Sequence, residues 1–329
     1  MSNNSKSTTL LDRILSIEIV RVTERAAVAA ALLRGRGNEK EADQAAVDAM
    51  RRELGKLPID GTVVIGEGER DEAPMLFIGE NVGTKKGPKV DIAVDPLEGT
   101  TLCAKNMPGA IATMAMAAGG TLLNAPDVYM EKLAIGPGYS KGLLDLDTPP
   151  GECIVKLAKA KSVKPSEITA LVLDRPRHAD LIAAVRKAGA AVRLITDGDV
   201  AGVIDTADPK TGIDIYMGIG GAPEGVLAAA ALSCIGGQMQ CRLVLDSEEK
   251  RERAKKMGIK DPRKKYGIED MVRGDVVFAA TGVTTGSMLK GVLFREGCIE
   301  TETVVMRSAT GTVRWIRAQH RQLTKFDRD

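Results

Sequence analysis

Aromatic residues are scarce in this chain of 329 residues: they make up 3% of it, whereas hydrophobic residues as a whole make up 44%. The core must therefore be filled mainly by aliphatic side chains. The scarcity also argues against binding of single-stranded nucleic acid, which depends on rings that stack on the bases. Because the net charge is only +2 and the two signs are interspersed, we expect no nucleic-acid partner.

Histidine and cysteine are also few. The two histidines, His178 and His320, exclude a His-rich zinc site. A metal would be held mainly by carboxylates, which favours Mg²⁺ or Mn²⁺. The five cysteines are scattered without C-x-x-C spacing, as is typical of reduced thiols in the cytosol.

Long hydrophobic runs are absent, since no stretch approaches the length of a membrane span. The polar N-terminus also lacks the apolar core of a signal peptide. We therefore expect a cytoplasmic protein with no membrane partner. The length suffices for one large α/β domain or two fused halves. A boundary predicted near residue 165, after a Lys-rich stretch, would separate the halves 1–165 and 166–329.

Alternating strand and helix patterns predict an α/β layered fold. Residues 10–34 have the apolar spacing of a helix. Residues 89–94 predict a strand, closed by Asp95-Pro96. The second half alternates strand, loop and helix more plainly than the first.

The strongest chemical signal is the segment 95–101, DPLEGTT. A strand delivers Asp95 to its carboxyl end, where ligand sites gather in α/β sheets, and Glu98 can turn back toward it. Gly99 lets the chain pass close to a ligand, and Thr100 adds a hydroxyl where a helix could begin. Two carboxylates, a hydroxyl and free amides suit a metal-bound phosphate. The alternative is an acidic turn with a helix cap.

Two further acidic positions are candidate metal ligands. Glu67 follows a buried strand in the segment 66–72, GEGERDE, where the crowded charges need either solvent or a cation. The alternative there is a solvated loop. Asp43 lies beside a small-residue face of a predicted helix and could reach a metal, although such a residue is more often on the surface.

Three loops follow predicted strands in the second half. Segment 174–178 (DRPRH) offers two arginines for a phosphate, 197–199 (DGD) offers acceptors for sugar hydroxyls, and 220–225 (GGAPEG) offers glycine amides and another carboxylate. Each is weak evidence alone, but their shared position after strands indicates one site. A lone histidine beside arginines, such as His178, is more often structural than catalytic.

Taken together, these segments make the chain resemble the class II fructose-1,6-bisphosphatases of bacteria over nearly its whole length. The DP-x-[DE]-G-T core is shared more widely, with inositol monophosphatases and related lithium-sensitive phosphatases. The segments that carry the resemblance are 64–69 (VIGEGE), 91–96 (DIAVDP), 124–127 (NAPD), 175–178 (RPRH), 197–199 (DGD) and 218–225 (GIGGAPEG).

The resemblance implies a layered α/β sugar-phosphatase fold, assembled as a homodimer or homotetramer. The implied metal ligands are Asp43, Glu67, Asp95, Glu98 and Glu224. The implied substrate-binding residues are Glu98, Gly99, Thr100, Tyr129, Arg175, Pro176, Arg177, Asp197, Gly198, Asp199 and Gly221. Some members carry a lysine four residues before the metal-binding aspartate; this chain has Glu39 there, so no role of that lysine is carried over.

The implied reaction is hydrolysis of the 1-phosphate of fructose-1,6-bisphosphate, a step of gluconeogenesis, with Mg²⁺ or Mn²⁺ polarising the phosphate. In the family, Thr100 helps to activate the attacking water. A threonine hydroxyl is too weak a base alone, so it must pass its proton to a carboxylate, Glu67 or Asp71. Activity on sedoheptulose-1,7-bisphosphate stays open. The alternatives are an inositol-monophosphatase-like enzyme for another small phosphate ester and a non-catalytic binding protein.

Overall fold

The computed structural model describes residues 15–68 and 74–326. Its helices are α1 (Leu15–Ala31), α2 (Glu39–Leu54), α3 (Thr100–Ala104), α4 (Pro150–Lys161), α5 (Ala179–Lys187), α6 (Asp199–Asp205), α7 (Ala222–Ile235), α8 (Glu248–Lys256) and α9 (Ile268–Met271). Its strands are β1 (Asp60–Ile65), β2 (Asn81–Val82), β3 (Lys89–Glu98), β4 (Ile111–Ala118), β5 (Tyr129–Ile135), β6 (Thr169–Leu173), β7 (Ala191–Ile195), β8 (Ile215–Gly221), β9 (Gln238–Leu243), β10 (Tyr266–Gly267), β11 (Val276–Gly282), β12 (Leu293–Arg295), β13 (Cys298–Arg307) and β14 (Thr312–His320).

The strands form two mixed sheets. The first has the order β12-β13-β11-β4-β3-β1-β2, with β14 paired to β13, and the second has the order β10-β9-β5-β8-β6-β7. Helices α1 and α2 pack on the outer face of the first sheet, α6 and α7 lie between the sheets, and α4 and α5 cover the outer face of the second. The predicted α/β layered fold is confirmed.

Strand β3 is apolar on both faces because each face meets a different layer of helices. Its residues Ile92 and Val94 belong to the buried cluster with α1 and α2, whereas Ala93 between them belongs to the cluster with α7. In β4, Met114 and Ala115 divide between the same two clusters. Successive side chains of a strand point to opposite faces, so a strand buried on both sides has a continuous apolar sequence.

Helix α7 lies at the centre of the fold and is buried around almost its whole circumference. It contacts β3, β4 and β11 of the first sheet and β5, β8 and β9 of the second. A helix that is apolar on all sides is expected only in such a buried position, and its small Ala228–Ala231 stretch suits close packing. This packing fixes the first turn of α7, which carries Glu224, relative to β3.

Two predicted boundaries differ from the structure. Helix α1 (Leu15–Ala31) ends before the predicted Arg34, and residues 10–14 of the predicted helix lie outside the described part. The strand predicted to close at Asp95-Pro96 continues to Glu98, with a shift in its pairing to β4. Because proline has no N–H to donate, the ladder is interrupted there and pairing resumes at Glu98.

The predicted division into 1–165 and 166–329 stays a prediction. Sheet membership follows a different pattern along the chain, since β5 belongs to the second sheet and β11 to β14 return to the first. No helix in residues 15–68 and 74–326 has both the length and the apolar character needed to cross a membrane.

Candidate active site

A cavity of about 320 Å³ opens where β1 and β3 end and where α3 and α7 begin. All five predicted metal-binding carboxylates line it, together with Thr100. The lining residues are Asp43, Gly66, Glu67, Gly68, Val94, Asp95, Leu97, Glu98, Gly99, Thr100, Asp127, Asp197, Pro223, Glu224 and Leu227. The fold therefore brings together acidic residues that are far apart in the sequence.

Asp95 and Glu98 reach the cavity from the irregular end of β3. The Leu97 N–H donates to Asp95 Oδ1 over 3.1 Å. The Val200 N–H, at the start of α6, donates to Glu98 Oε1 over 3.0 Å. Each carboxylate oxygen has more than one lone pair, so these donors orient the two side chains and leave acceptor capacity for a cation.

Glu224, on the first turn of α7, folds back over the backbone of Gly221. A Cβ atom at Gly221 would lie 2.0 Å from Glu224 Oε2, and a Cβ atom at Gly220 would lie 2.0 Å from Asp199 Oδ2. Both distances are far inside van der Waals contact, so only glycine leaves room for the carboxylates as they stand. Besides offering backbone amides, Gly220 and Gly221 thus make room for two carboxylates, a role that was not predicted from the sequence.

Asp95, Glu98 and Glu224 are arranged to hold a cation. Each offers an oxygen within 4.8 Å of the other two. Glu224 Oε2 is buried and accepts no hydrogen bond. Burial of an unpaired carboxylate oxygen costs free energy unless the oxygen binds a cation or a proton. Because carboxylate oxygens are preferred ligands of hard divalent cations, the residues present fit a divalent metal ion.

Burial, together with repulsion between neighbouring carboxylates, raises the pKa values of the candidate metal ligands. Burial, followed by the charges of Asp43 and Glu224, raises the pKa of Glu67 to about 8. Burial raises the pKa of Asp43 to about 6 and holds the pKa values of Asp95 and Glu98 well above their usual range. Without a cation, the cluster therefore tends to hold protons instead.

Thr100 is the first residue of the short helix α3, and its half-buried side chain lines the cavity. The cap of α3 is Gly99, with a left-handed φ of 87°, so Thr100 is not the helix cap. Glu67, one of the two predicted proton acceptors, lines the same cavity. Asp71, the other, lies outside the described residues.

Tyr129 and Arg177 lie beside the cavity rather than in its lining. Tyr129 pairs with Gly221 across β5 and β8, and the Arg177 guanidinium lies 4.6 Å from the centre of its ring. Arg177 Nη2 also donates to the Ile219 carbonyl over 2.7 Å. These contacts place a positive charge next to the acidic cavity.

The loop 197–199 divides its two acidic side chains. Asp197 lines the cavity, where burial raises its pKa and the Gly198 backbone and the Arg175 charge oppose that rise. Gly198, with a φ of 87°, caps α6. Asp199 is not among the residues that line the cavity, and its Oδ2 accepts a hydrogen bond from Lys132 Nζ over 2.6 Å.

His178 has a structural role, as expected. Its Nδ1–H donates to the Leu173 carbonyl over 2.7 Å, and its Nε2 accepts from the Ile219 N–H over 2.8 Å. With both ring nitrogens engaged, this buried imidazole connects β6 to β8 and is not free for proton transfer.

Two residues of this region were missed by sequence reasoning. Asp127 lines the cavity. It is the last residue of the segment 124–127, which was part of the resemblance, but it was given no role in the site. Lys132 is fully buried in β5 behind the cavity. A signal for Lys132 was present, since a single lysine interrupts the largely apolar end of that strand, but the sequence does not show which partner it meets.

A family model described as "Bacterial fructose-1,6-bisphosphatase, glpX-encoded" matches residues 13–320. This chain belongs to that family. A curated relative from Synechococcus sp. (strain JA-3-3Ab), named D-fructose 1,6-bisphosphatase class 2/sedoheptulose 1,7-bisphosphatase, is 45% identical over 335 residues, covering 94% of this chain and 96% of the relative. One of the same name from Parasynechococcus marenigrum (strain WH8102) is 44% identical over 324 residues, covering 94% and 97%.

Solved structures similar to this family member are distant. The extragenic suppressor protein suhB from Bartonella henselae is 14% identical with a TM-score of 0.33, covering 58% of this chain and 73% of that one. An inositol monophosphatase from Anabaena is 13% identical with a TM-score of 0.30, covering 58% and 71%. The fold assignment therefore rests on the two sheets and the helices packed on them.

Substituting Gly221→Ala should weaken metal binding by this fructose-1,6-bisphosphatase family member. The new Cβ would displace the flexible end of Glu224 rather than backbone, so the fold should survive. Loss of one oriented ligand should lower Mn²⁺ affinity by roughly 10- to 100-fold, measured by isothermal titration calorimetry. Gly151→Ala is the matched control, because its Cβ would meet nothing closer than 3.5 Å. Wild-type affinity in Gly221→Ala would show that this close approach is unnecessary.

The stability of the chelator-treated protein should fall as the pH rises. The folded state raises the pKa of Glu67 from 4.5 to about 8, so it binds this proton more tightly than the unfolded chain. The stabilising contribution is complete below the unfolded value and is lost as the pH rises through about 8. Mn²⁺ should oppose the loss, because it binds the deprotonated carboxylates.

Melting temperatures with EDTA and with Mn²⁺, taken at several pH values, measure this effect. Glu67→Gln should flatten the decline in EDTA, since the amide does not titrate. A melting temperature in EDTA that stays constant or rises over the same pH range would contradict the assignment of a crowded, proton-holding cluster.

Proposed function

We propose that this chain hydrolyses the 1-phosphate of fructose-1,6-bisphosphate to give fructose-6-phosphate and phosphate. The observation that carries the proposal is the trio of Asp95, Glu98 and Glu224, with oxygens within 4.8 Å of one another, in a member of this family. Such a trio suits a cation that binds phosphate, and the neighbouring arginines suit a second phosphate.

Mg²⁺ or Mn²⁺ is the proposed cofactor, held by Asp43, Glu67, Asp95, Glu98 and Glu224. When bound, the ion supplies positive charge that polarises the phosphoryl group. The protein contributes the orientation of its ligands, through backbone donors such as the Leu97 and Val200 N–H groups. A preorganised set of charges lowers the barrier because it need not rearrange during the reaction.

Thr100 and Glu67 are the proposed proton-handling residues. The Thr100 hydroxyl orients the attacking water and takes up a proton from it. The hydroxyl proton of Thr100 passes in turn to Glu67, which lines the same cavity. Without a cation, burial and nearby carboxylates raise the pKa of Glu67 to about 8. A bound cation would offset the repelling charges and leave Glu67 ionised, so that it could accept the proton. Asp71 remains a second candidate for this step.

The sugar and the distal phosphate are proposed to lie on the side of the cavity occupied by Tyr129 and Arg177. The contact of Arg177 with the Tyr129 ring and its hydrogen bond to the Ile219 carbonyl support this placement, because they hold the guanidinium beside the cavity. The other proposed contacts are Glu98, Gly99, Arg175, Pro176, Asp197, Gly198 and Gly221. Asp199 also stays a proposed contact, with its Oδ2 already accepting a hydrogen bond from Lys132 Nζ.

Sedoheptulose-1,7-bisphosphate is a second proposed substrate, since the curated relatives carry that activity in their names. It shares with fructose-1,6-bisphosphate a phosphate at each end of a sugar. The expected cytoplasmic location and the expected homodimer or homotetramer stay predictions.

Phosphate release from purified, chelated protein tests the proposal. Fructose-1,6-bisphosphate should release phosphate with added Mg²⁺ or Mn²⁺ and not with EDTA, with fructose-6-phosphate as the product. Inositol monophosphate serves as the comparison substrate. Equal or faster release from inositol monophosphate, or no release from either bisphosphate with either ion, would reject the proposed function.

Thr100→Val should lower kcat by roughly 10²–10⁴-fold, because it keeps the shape and removes the hydroxyl that orients water. Thr100→Ser should keep measurable activity, and KM for the bisphosphate should change little in both variants. Thr101→Val is the control, since Thr101 lies in the same helix but outside the cavity lining. A Thr100→Val variant with wild-type kcat would remove Thr100 from the mechanism.

A further inference from the structure

Behind the cavity, β5 carries a lysine that the proposed reaction does not use. The side chain of Lys132 is completely buried, and its Nζ lies 2.6 Å from Asp199 Oδ2. The Tyr216 hydroxyl donates to the same oxygen over 3.3 Å. A fully buried ion pair is costly to form and is stabilised only where its geometry is well satisfied. We therefore asked what this pair does so close to an acidic site.

The glycines of the segment 220–225 make room for this ion pair. A Cβ atom at Gly220 would lie 3.1 Å from Lys132 Nζ, in addition to its clash with Asp199. A Cβ atom at Gly225 would lie 3.3 Å from Lys132 Cε. The strand end and the helix start that carry Glu224 are therefore packed around the lysine.

A continuous set of contacts connects Lys132 to the candidate metal ligands. Asp199, which Lys132 holds, is the first residue of α6. The next N–H along the chain, that of Val200, donates to Glu98 Oε1 over 3.0 Å. On the other side, Gly220 adjoins Gly221, over which Glu224 is folded. The backbone next to Lys132 thus adjoins two of the three clustered carboxylates.

We propose that Lys132 is a positioning residue: through Asp199 it fixes the start of α6, and so holds Glu98 and Glu224 in the geometry that binds the divalent ion. Lys132 does not touch substrate, because its side chain has no exposed surface and it does not line the cavity. The inference rests on the proposed function in one respect, namely that the protein uses a divalent ion. It concerns binding of that ion before any substrate is bound.

The direction of the effect separates positioning from simple electrostatics. Removal of a positive charge close to a cation site strengthens cation binding by Coulomb's law alone. Displacement of Glu98 and Glu224 weakens it instead. If Lys132 acts through position, its neutral replacement must lower metal affinity even though the local charge has become more negative.

The test is Mn²⁺ binding by the full chain, measured by calorimetry and by the electron paramagnetic resonance of free Mn²⁺. Lys132→Met, of similar length, should bind Mn²⁺ roughly 10- to 100-fold more weakly than the wild type, the usual effect of removing a partner that orients metal ligands. Affinity equal to or higher than that of the wild type would overturn the proposal. Lys161→Met is the matched control, because Lys161 pairs with Asp214 just before the other end of β8 and should leave affinity unchanged.

A second variant covers the case in which Lys132→Met fails to fold around an unpaired Asp199. Lys132→Met/Asp199→Asn removes both buried charges, an exchange that buried ion pairs often tolerate. It should be folded by circular dichroism and still bind Mn²⁺ at least about tenfold more weakly, because the start of α6 is no longer held. Wild-type affinity in this folded variant would overturn the proposal. These results hold whichever sugar phosphate proves to be the substrate, so a failed phosphate-release assay does not affect them.

Discussion

Repulsion among buried carboxylates is the constraint on which the rest of this site depends. Asp43, Glu67, Asp95, Glu98 and Glu224 line one cavity, and buried groups of like charge cannot all stay ionised without compensation. Backbone N–H donors meet Asp95 and Glu98, while Lys132 balances Asp199 behind the cavity. The negative charge that is left over suits the cavity to a divalent cation.

The layered fold keeps these carboxylates from moving apart. Helix α7 is packed between the two sheets, so Glu224 approaches β3 from a support that is fixed on both sides. Gly220 and Gly221 then allow two carboxylates to lie directly against the strand end. Close-packed interiors deform little, and the repelling groups are therefore held near one another by the packing of residues that carry no charge.

The part of the site that the residue pattern indicated most strongly is local, whereas the family resemblance was needed to join Asp43, Glu67 and Glu224 to it. Asp95, Glu98 and Thr100 lie within six residues of one strand end, where residue type and predicted structure indicate the same chemistry. The ion pair of Lys132 and Asp199 joins positions 67 residues apart, and it depends on how the second sheet packs. The partner of Asp199 could therefore not be identified from the loop alone. The extension of β3 past Pro96 was missed for a similar reason, because pairing with β4 overrides the local preference of proline.

The pairing of β4 with β11 has a consequence for how the protein is made. During synthesis, residues 89–118 leave the ribosome long before residues 276–282, so the edge of β4 that pairs with β11 stays open while residues 119–275 are translated. Contacts between segments distant in sequence form slowly, and open strand edges invite aggregation. Nascent chains thus pass through a stage with an exposed strand, and β11, which covers it, is among the last strands to be synthesised.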